Sequence, residues 1–119
     1  MKSAFLTLTL AVLAVGGTGA AHAALDNAAA EAMMKKDGCA ACHAIDKRIV
    51  GPALADVAAK YRGDKDAVAR LSKKVKEGGS GVWGPIMMPP NTPVADDDIR
   101  ALVTWILGLK KTPAPAPSK

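Results

Sequence analysis

The chain has 119 residues with 16 Lys+Arg against 11 Asp+Glu, a formal net charge of +5. That length holds one small domain. Half of the residues are hydrophobic but only 3% are aromatic, and a domain built mainly on Ala, Val, Leu and Met wants a disulfide, a metal or a large apolar cofactor to complete its interior. The basic balance comes without an aromatic-rich basic face, which argues against nucleic-acid binding.

The first segment reads as an export signal. Lys2 precedes an apolar run from Ala4 to Val15, and the stretch closes on Ala21-His22-Ala23, the three parts of a secretory signal peptide. The run is shorter than the ~20 apolar residues that span a bilayer, and Gly16, Gly17 and Gly19 interrupt its far end. Residues 1–23 are therefore expected to be cleaved after Ala23, giving a periplasmic protein with no stable membrane insertion. Cleavage would remove His22 and leave His43 as the only histidine.

Residues 27–37 carry strong helix formers, with Asp26 or Asn27 as N-cap, Lys35 and Lys36 in the last turn and Gly38 as the stop. Ile49 to Leu54 is broken by Gly51-Pro52 and reads as loop. A short helix is predicted over 53–61 through Leu54, Val57 and Tyr61. Asp64 or Asp66 caps a third helix with Val68, Leu71 and Val75 on one face, ended by the glycines at 78, 79 and 81. Val82 to Pro93 has no periodicity and four prolines, so it reads as an ordered loop rather than helix or strand. The last helix opens on Asp96, Asp97 and Asp98 and carries the stripe Ile99, Leu102, Val103, Ile106 and Leu107. Residues 112–119 form a Pro/Ala-rich tail that reads as disordered or extended. The main domain is expected over 24–111, all-α, with about four to five short helices and long loops.

Cys39-Ala40-Ala41-Cys42-His43 is the C-x-x-C-H pattern of covalent haem attachment. Two cysteines three positions apart can present their sulfurs to the two vinyl groups on one side of a porphyrin. The following histidine is then carried beneath the iron. Small residues at 40 and 41 keep bulk away from the ring. Three other readings compete. A disulfide here would close a very short loop and constrain little chain. A thioredoxin-like pair needs a β-α-β setting that the pattern lacks, and structural zinc would need a fourth ligand with no Cys or His to supply it. One covalent haem c is the expected cofactor.

With no second histidine beyond residue 23, the other side of the iron falls to methionine, lysine, water or nothing. Met33 and Met34 lie on the helix just before the motif and read as core filler. Met87 and Met88 sit in the proline-rich loop, well separated from His43, where prolines limit the entropy cost of holding a loop over the opposite face. A thioether opposite an imidazole raises the reduction potential and suits an electron carrier. Spacing alone does not choose between Met87 and Met88.

The ordered segments Lys36-Asp37-Gly38-Cys39-Ala40-Ala41-Cys42-His43-Ala44-Ile45-Asp46, Val50-Gly51-Pro52-Ala53 and Gly81-Val82-Trp83-Gly84-Pro85-Ile86-Met87-Met88-Pro89-Pro90-Asn91, with a closing helix containing Trp105, resemble the class I c-type cytochromes, and among them the small bacterial cytochrome c-551 group. The resemblance covers nearly all of residues 26–110 and implies a small helical fold wrapped around one haem. It implies Met88 as the axial methionine, with Met87 its neighbour. Pro52 matches the proline whose carbonyl accepts the ligand histidine's Nδ1 proton, Trp83 an indole that bonds a haem propionate, and Asn91 an amide near the methionine sulfur. Lys74 stands where some relatives carry Arg or His beside a propionate.

The implied function is a one-electron shuttle with no substrate and no catalytic residues. Donors and acceptors of the kind a quinol–cytochrome complex, a nitrite reductase or a terminal oxidase provides are implied by the same resemblance. Lys35, Lys36, Lys47 and Arg48 flank the haem motif and Lys73, Lys74 and Lys76 cluster later, so redox partners with acidic docking surfaces are expected, met by a monomer. The alternative from another class is a haem enzyme or gas binder. It would need Met87 and Met88 both to leave the iron open, and it would lack a spare histidine for acid–base work.

Overall fold

The computed structural model describes residues 24–112; the expected signal segment 1–23 and residues 113–119 of the expected tail lie outside them. Helix α1 (Asn27–Lys36) begins where Asp26 accepts the Ala29 amide on its side chain at 2.7 Å, a cap that contributes about 1 kcal/mol. Its stop is Gly38, whose φ of 77° suits a residue without Cβ. A 3-10 turn, Cys39–Ala41, follows at once, so the first cysteine is placed by the end of α1.

Helices α2 (Leu54–Lys60), α3 (Ala67–Glu77) and α4 (Asp96–Leu107) fall where the sequence periodicity puts them. At the start of α3 the residue that bonds is Asp64: its carboxylate accepts the Asp66 amide at 2.9 Å and pairs with Arg70, while Asp66 stands at the cap position without a side-chain bond. The three aspartates of α4 occupy its first turn, where the helix dipole favours negative charge.

The core forms where α1, α2 and α4 meet. Ala30 and Met34 of α1, Leu54 and Val57 of α2, and Leu102 and Ile106 of α4 make one buried cluster, with Met33, Tyr61 and Trp105 partly buried against it. Two polar links hold the same elements together. Trp105 Nε1 donates to Asn27 Oδ1 at 3.0 Å, and Lys111 pairs with Asp56 at 2.8 Å.

Two features depart from the sequence reading. Strands β1 (Gly79–Gly81) and β2 (Gly84–Met88) pair antiparallel, with Gly79 opposite Met88 and Gly81 opposite Gly84. The segment read as loop therefore carries a small ribbon on a mainly helical fold. It is invisible to periodicity because Ser80 is the only side chain in β1 and Pro85, Ile86 and Met87 of β2 are all exposed, leaving no inside–outside alternation. Secondly, the apolar face of α3 is only half-buried; Ala67 alone is buried in that helix. Leu71 and Val75 instead border an open cleft. No helix among the described residues is long and apolar enough to cross a membrane.

Candidate cofactor site

The histidine side of the site is built by backbone bonds around the motif. Cys39 O accepts the Cys42 and His43 amides at 3.1 and 3.0 Å, and Cys42 O accepts Gly51 N at 2.8 Å. Those bonds fold residues 44–52 back beneath the motif. His43 Nδ1 lies 2.8 Å from Pro52 O. A carbonyl can only accept, so Nδ1 carries the proton, and in the neutral ring the lone pair is left on Nε2. The imidazole lies flat against Gly51: a Cβ there would stand 2.4 Å from His43 Cε1 and 2.9 Å from each ring nitrogen. Gly51→Ala is therefore expected to drive the ring off its seat and to lower the stability of the haem-loaded protein by about 1–3 kcal/mol, the usual cost of overpacking. A denaturation midpoint equal to the parent's would contradict this contact.

Opposite, β2 delivers Met88 to the C-terminal end of α3. Gly78 caps that helix at φ 71°, and a Cβ on it would meet Met88 O at 2.3 Å and Pro89 C at 2.8 Å. The chain beyond is stapled to α3: Asn91 N donates to Val75 O at 3.1 Å, Asn91 Nδ2 donates to Val75 O at 3.1 Å and Pro89 O at 3.2 Å, and Lys76 Nζ donates to Val94 O at 2.7 Å. Lys76 also pairs with Asp96 at 2.9 Å. Asn91 does not border the cleft; its amide nitrogen is spent on backbone carbonyls, and it reaches Met88 through the loop it pins. Gly78→Ala combines a positive φ with a clash against backbone, which cannot swing aside. It should displace Met88 and cost about 2–3 kcal/mol, read as a lower melting temperature.

Between the two sides lies a cavity of about 420 Å³, within the range of cofactor pockets. Cys39, Cys42, His43, Pro52, Trp83 and Met88 all border it, as does Met87. Its floor is apolar, with Leu54, Leu71, Leu102 and Ile106 among the residues exposed to it. The charged residues on its wall are Arg48, Arg70 and Lys74, and no carboxylate joins them. Arg70 is already paired with Asp64, so Arg48 and Lys74 remain to face anions.

Trp83 is gripped from the histidine side by two cations. Arg48 donates to its carbonyl at 3.0 Å and Lys60 Nζ sits 5.6 Å from the centroid of its ring. The two cysteines are both half-buried, and no disulfide joins them. Before haem is attached, burial and then the Asp37 carboxylate push the Cys39 thiol up.

These features suit a haem. The apolar floor matches a porphyrin face, the cation-lined and acid-free wall matches two propionates, and the free lone pair of His43 Nε2 matches iron. Zinc is not suited, because no group of three or more Cys, His, Asp or Glu side chains among the described residues is gathered to hold an ion.

A protein-family model described as Cytochrome c matches residues 16–110. The chain belongs to the cytochrome c family. It is 48% identical over 111 residues to cytochrome c-552 of Nitrosomonas europaea, covering 92% of this chain and 100% of that protein. It is 58% identical over 77 residues to cytochrome c-551 of Allochromatium vinosum, covering 65% of this chain and 82% of the relative. The crystal structure of wild-type Nitrosomonas europaea cytochrome c552 superposes with a TM-score of 0.65 at 52% identity, covering 67% of this chain and 99% of that one. The protein is accordingly a small class I cytochrome, a haem electron carrier with one covalently attached haem c, and not an enzyme.

Three residues of the site escaped the sequence. Gly51 and Gly78 read as a loop breaker and a helix stop, and only the structure shows what each lets approach. Arg48 read as one of several surface cations. Its bond to Trp83 spans more than thirty positions in the chain, and spacing carries no signal for such a contact.

Proposed function

We propose that Cys39 and Cys42 form the two thioethers, that His43 Nε2 and the Met88 sulfur are the axial ligands, and that the protein shuttles single electrons between periplasmic redox partners. The observation that carries this reading is the Pro52 carbonyl 2.8 Å from His43 Nδ1, which fixes the tautomer and raises the basicity of the ring, on a cleft whose far wall holds Met88. The haem supplies an iron that changes by one electron. Imidazole and thioether ligands suit both oxidation states, and the protein sets the potential through ligation and burial.

Trp83 is the proposed propionate donor, its position set by Arg48 and Lys60. Asn91 acts on Met88 by holding the Pro89–Asn91 turn against α3. Met87, exposed on β2 beside Met88, is the neighbour and not the ligand.

Export with cleavage after Ala23 completes the reading, as does a monomer working between a quinol–cytochrome complex and a nitrite reductase or terminal oxidase. Docking would use the exposed apolar side chains Ile49, Val50, Val82, Ile86 and Met87, with Lys47, Arg48 and Lys74 around them steering acidic partners. Stopped-flow electron transfer between the haem-loaded protein and such a partner is expected to slow several-fold as ionic strength rises from about 0.01 to 0.15 M, while the Debye length shrinks from ~30 to ~8 Å. A rate indifferent to salt would sink the steering, and a redox titration that departs from one electron per protein would sink the shuttle.

A further inference from the structure

The two adjacent methionines at the cleft mouth have opposite fates in this fold, and the exposed one has no task in the site. Met88 is half-buried, with its backbone against Gly78. On the ligation proposed above, its sulfur lone pair is committed to iron. Met34 is 4% exposed in the core and Met33 is partly buried against the same cluster. Met87 is 65% exposed, the highest of the exposed large hydrophobic residues. Met87 and Met88 both border the cavity, but Met87 lies largely exposed at its rim while Met88 is half-buried. The first is turned to solvent, and the second is held for the cofactor.

We propose that Met87 is a selective oxidation site, the thioether that hydrogen peroxide or a related hydroperoxide reaches before any other among residues 24–112. The step is an oxygen-atom transfer. The peroxide O–O bond breaks and one oxygen forms the S=O bond of methionine sulfoxide. Sulfur gives up two electrons, and the second oxygen leaves as water with both protons of hydrogen peroxide, or as the alcohol of an organic hydroperoxide. Accessibility and a free lone pair decide the rate of this chemistry, and Met87 alone has both. The product is polar and sits among Ile86 and Val82, which are themselves 58% and 54% exposed. A sulfoxide there converts part of an apolar rim into a hydrogen-bond acceptor without touching the iron ligands. If that rim is the docking face described above, oxidation weakens partner docking while the potential stays fixed; this consequence rests on that reading.

The test treats the haem-loaded protein and its Met87→Leu variant with hydrogen peroxide, following peptide masses and the visible spectrum together. Met87 is expected to gain one oxygen at least about ten-fold faster than Met33, Met34 or Met88, with the ferric methionine–iron band unchanged, and Met87→Leu should abolish the fast phase. A fast phase that survives in Met87→Leu, or oxygen appearing on Met33 as quickly, overturns the proposal. Loss of the band in step with the first oxygen places that oxygen on Met88 and overturns it as well. A band missing before any oxidant is added defeats the Met88 ligation alone, and the peptide masses still decide the order of oxidation.

Discussion

Met88→Ala is expected to turn a protein that ignores carbon monoxide into one that binds it stoichiometrically. Removing the thioether leaves the iron with His43 as its only protein ligand, since the described residues offer no second imidazole. The remaining methionines are not expected to substitute. Met34 is buried in the α1 cluster, and Met87 is 65% exposed at the cavity rim. Loss of the thioether also removes the ligand that favours ferrous iron, so the reduction potential should fall. The fold should survive better than the ligation, because the loop is held independently of the sulfur by Asn91 and Lys76. The check is a carbon monoxide titration of the reduced variant beside the parent, with helical circular dichroism as control. A variant that still refuses carbon monoxide would take Met88 out of the ligand set.

Replacing both Cys39 and Cys42 with alanine is expected to abolish haem staining after denaturing electrophoresis and to leave a chain without a cooperative thermal transition. The cofactor acts here as part of the core. Leu71 and Val75 of α3 and Leu102 of α4 border the cleft, so without haem much of the apolar face of α3 has nothing to pack against. At about 24 cal/mol per Å³, a cavity of 420 Å³ corresponds to a loss on the order of 10 kcal/mol, an upper figure because the cleft opens to water. The total stability of a small domain is about 5–15 kcal/mol. Loss of the haem therefore removes a large part of what the cleft-lining residues of α3 and α4 pack against. Folding of the double variant with the parent's melting profile would show that the protein core suffices alone.

The same interior explains what the sequence revealed and what it hid. Helices α1 and α4 were legible because their stops, charges and apolar stripes are local: Asp26 and Gly38 bound the first, and Asp96 to Asp98 with Ile99, Leu102, Val103 and Ile106 mark the last. The attachment motif was legible because its chemistry is compressed into five consecutive residues. The stripe on α3 was legible as a helix face, but what it faces was not, since Leu71 packs only in part on the protein core and the stripe otherwise borders the cleft. The ribbon was hidden because β1 is almost free of side chains and β2 has no buried face. Gly51 and Gly78 were hidden for another reason. Each matters through an atom it lacks, and the space left by that atom is filled by His43 in one case and by the Met88 carbonyl in the other.

The choice between Met87 and Met88 shows the limit most clearly. Spacing left them equal, and the resemblance to known cytochromes favoured Met88. The structure adds a physical distinction: Met88 is the residue whose backbone abuts the α3 cap, and Met87 is the one left in solvent.

The most direct test of the central claim is the visible spectrum of the exported, haem-loaded protein, oxidised and reduced, with and without carbon monoxide. Low-spin spectra in both states, a weak long-wavelength ferric band from the methionine–iron bond and no response to carbon monoxide are the predicted result, establishing His43 and Met88 on the two sides of one covalent haem. A reduced protein that takes up carbon monoxide readily would contradict it, and the open iron of a gas binder would then replace the closed iron of an electron carrier.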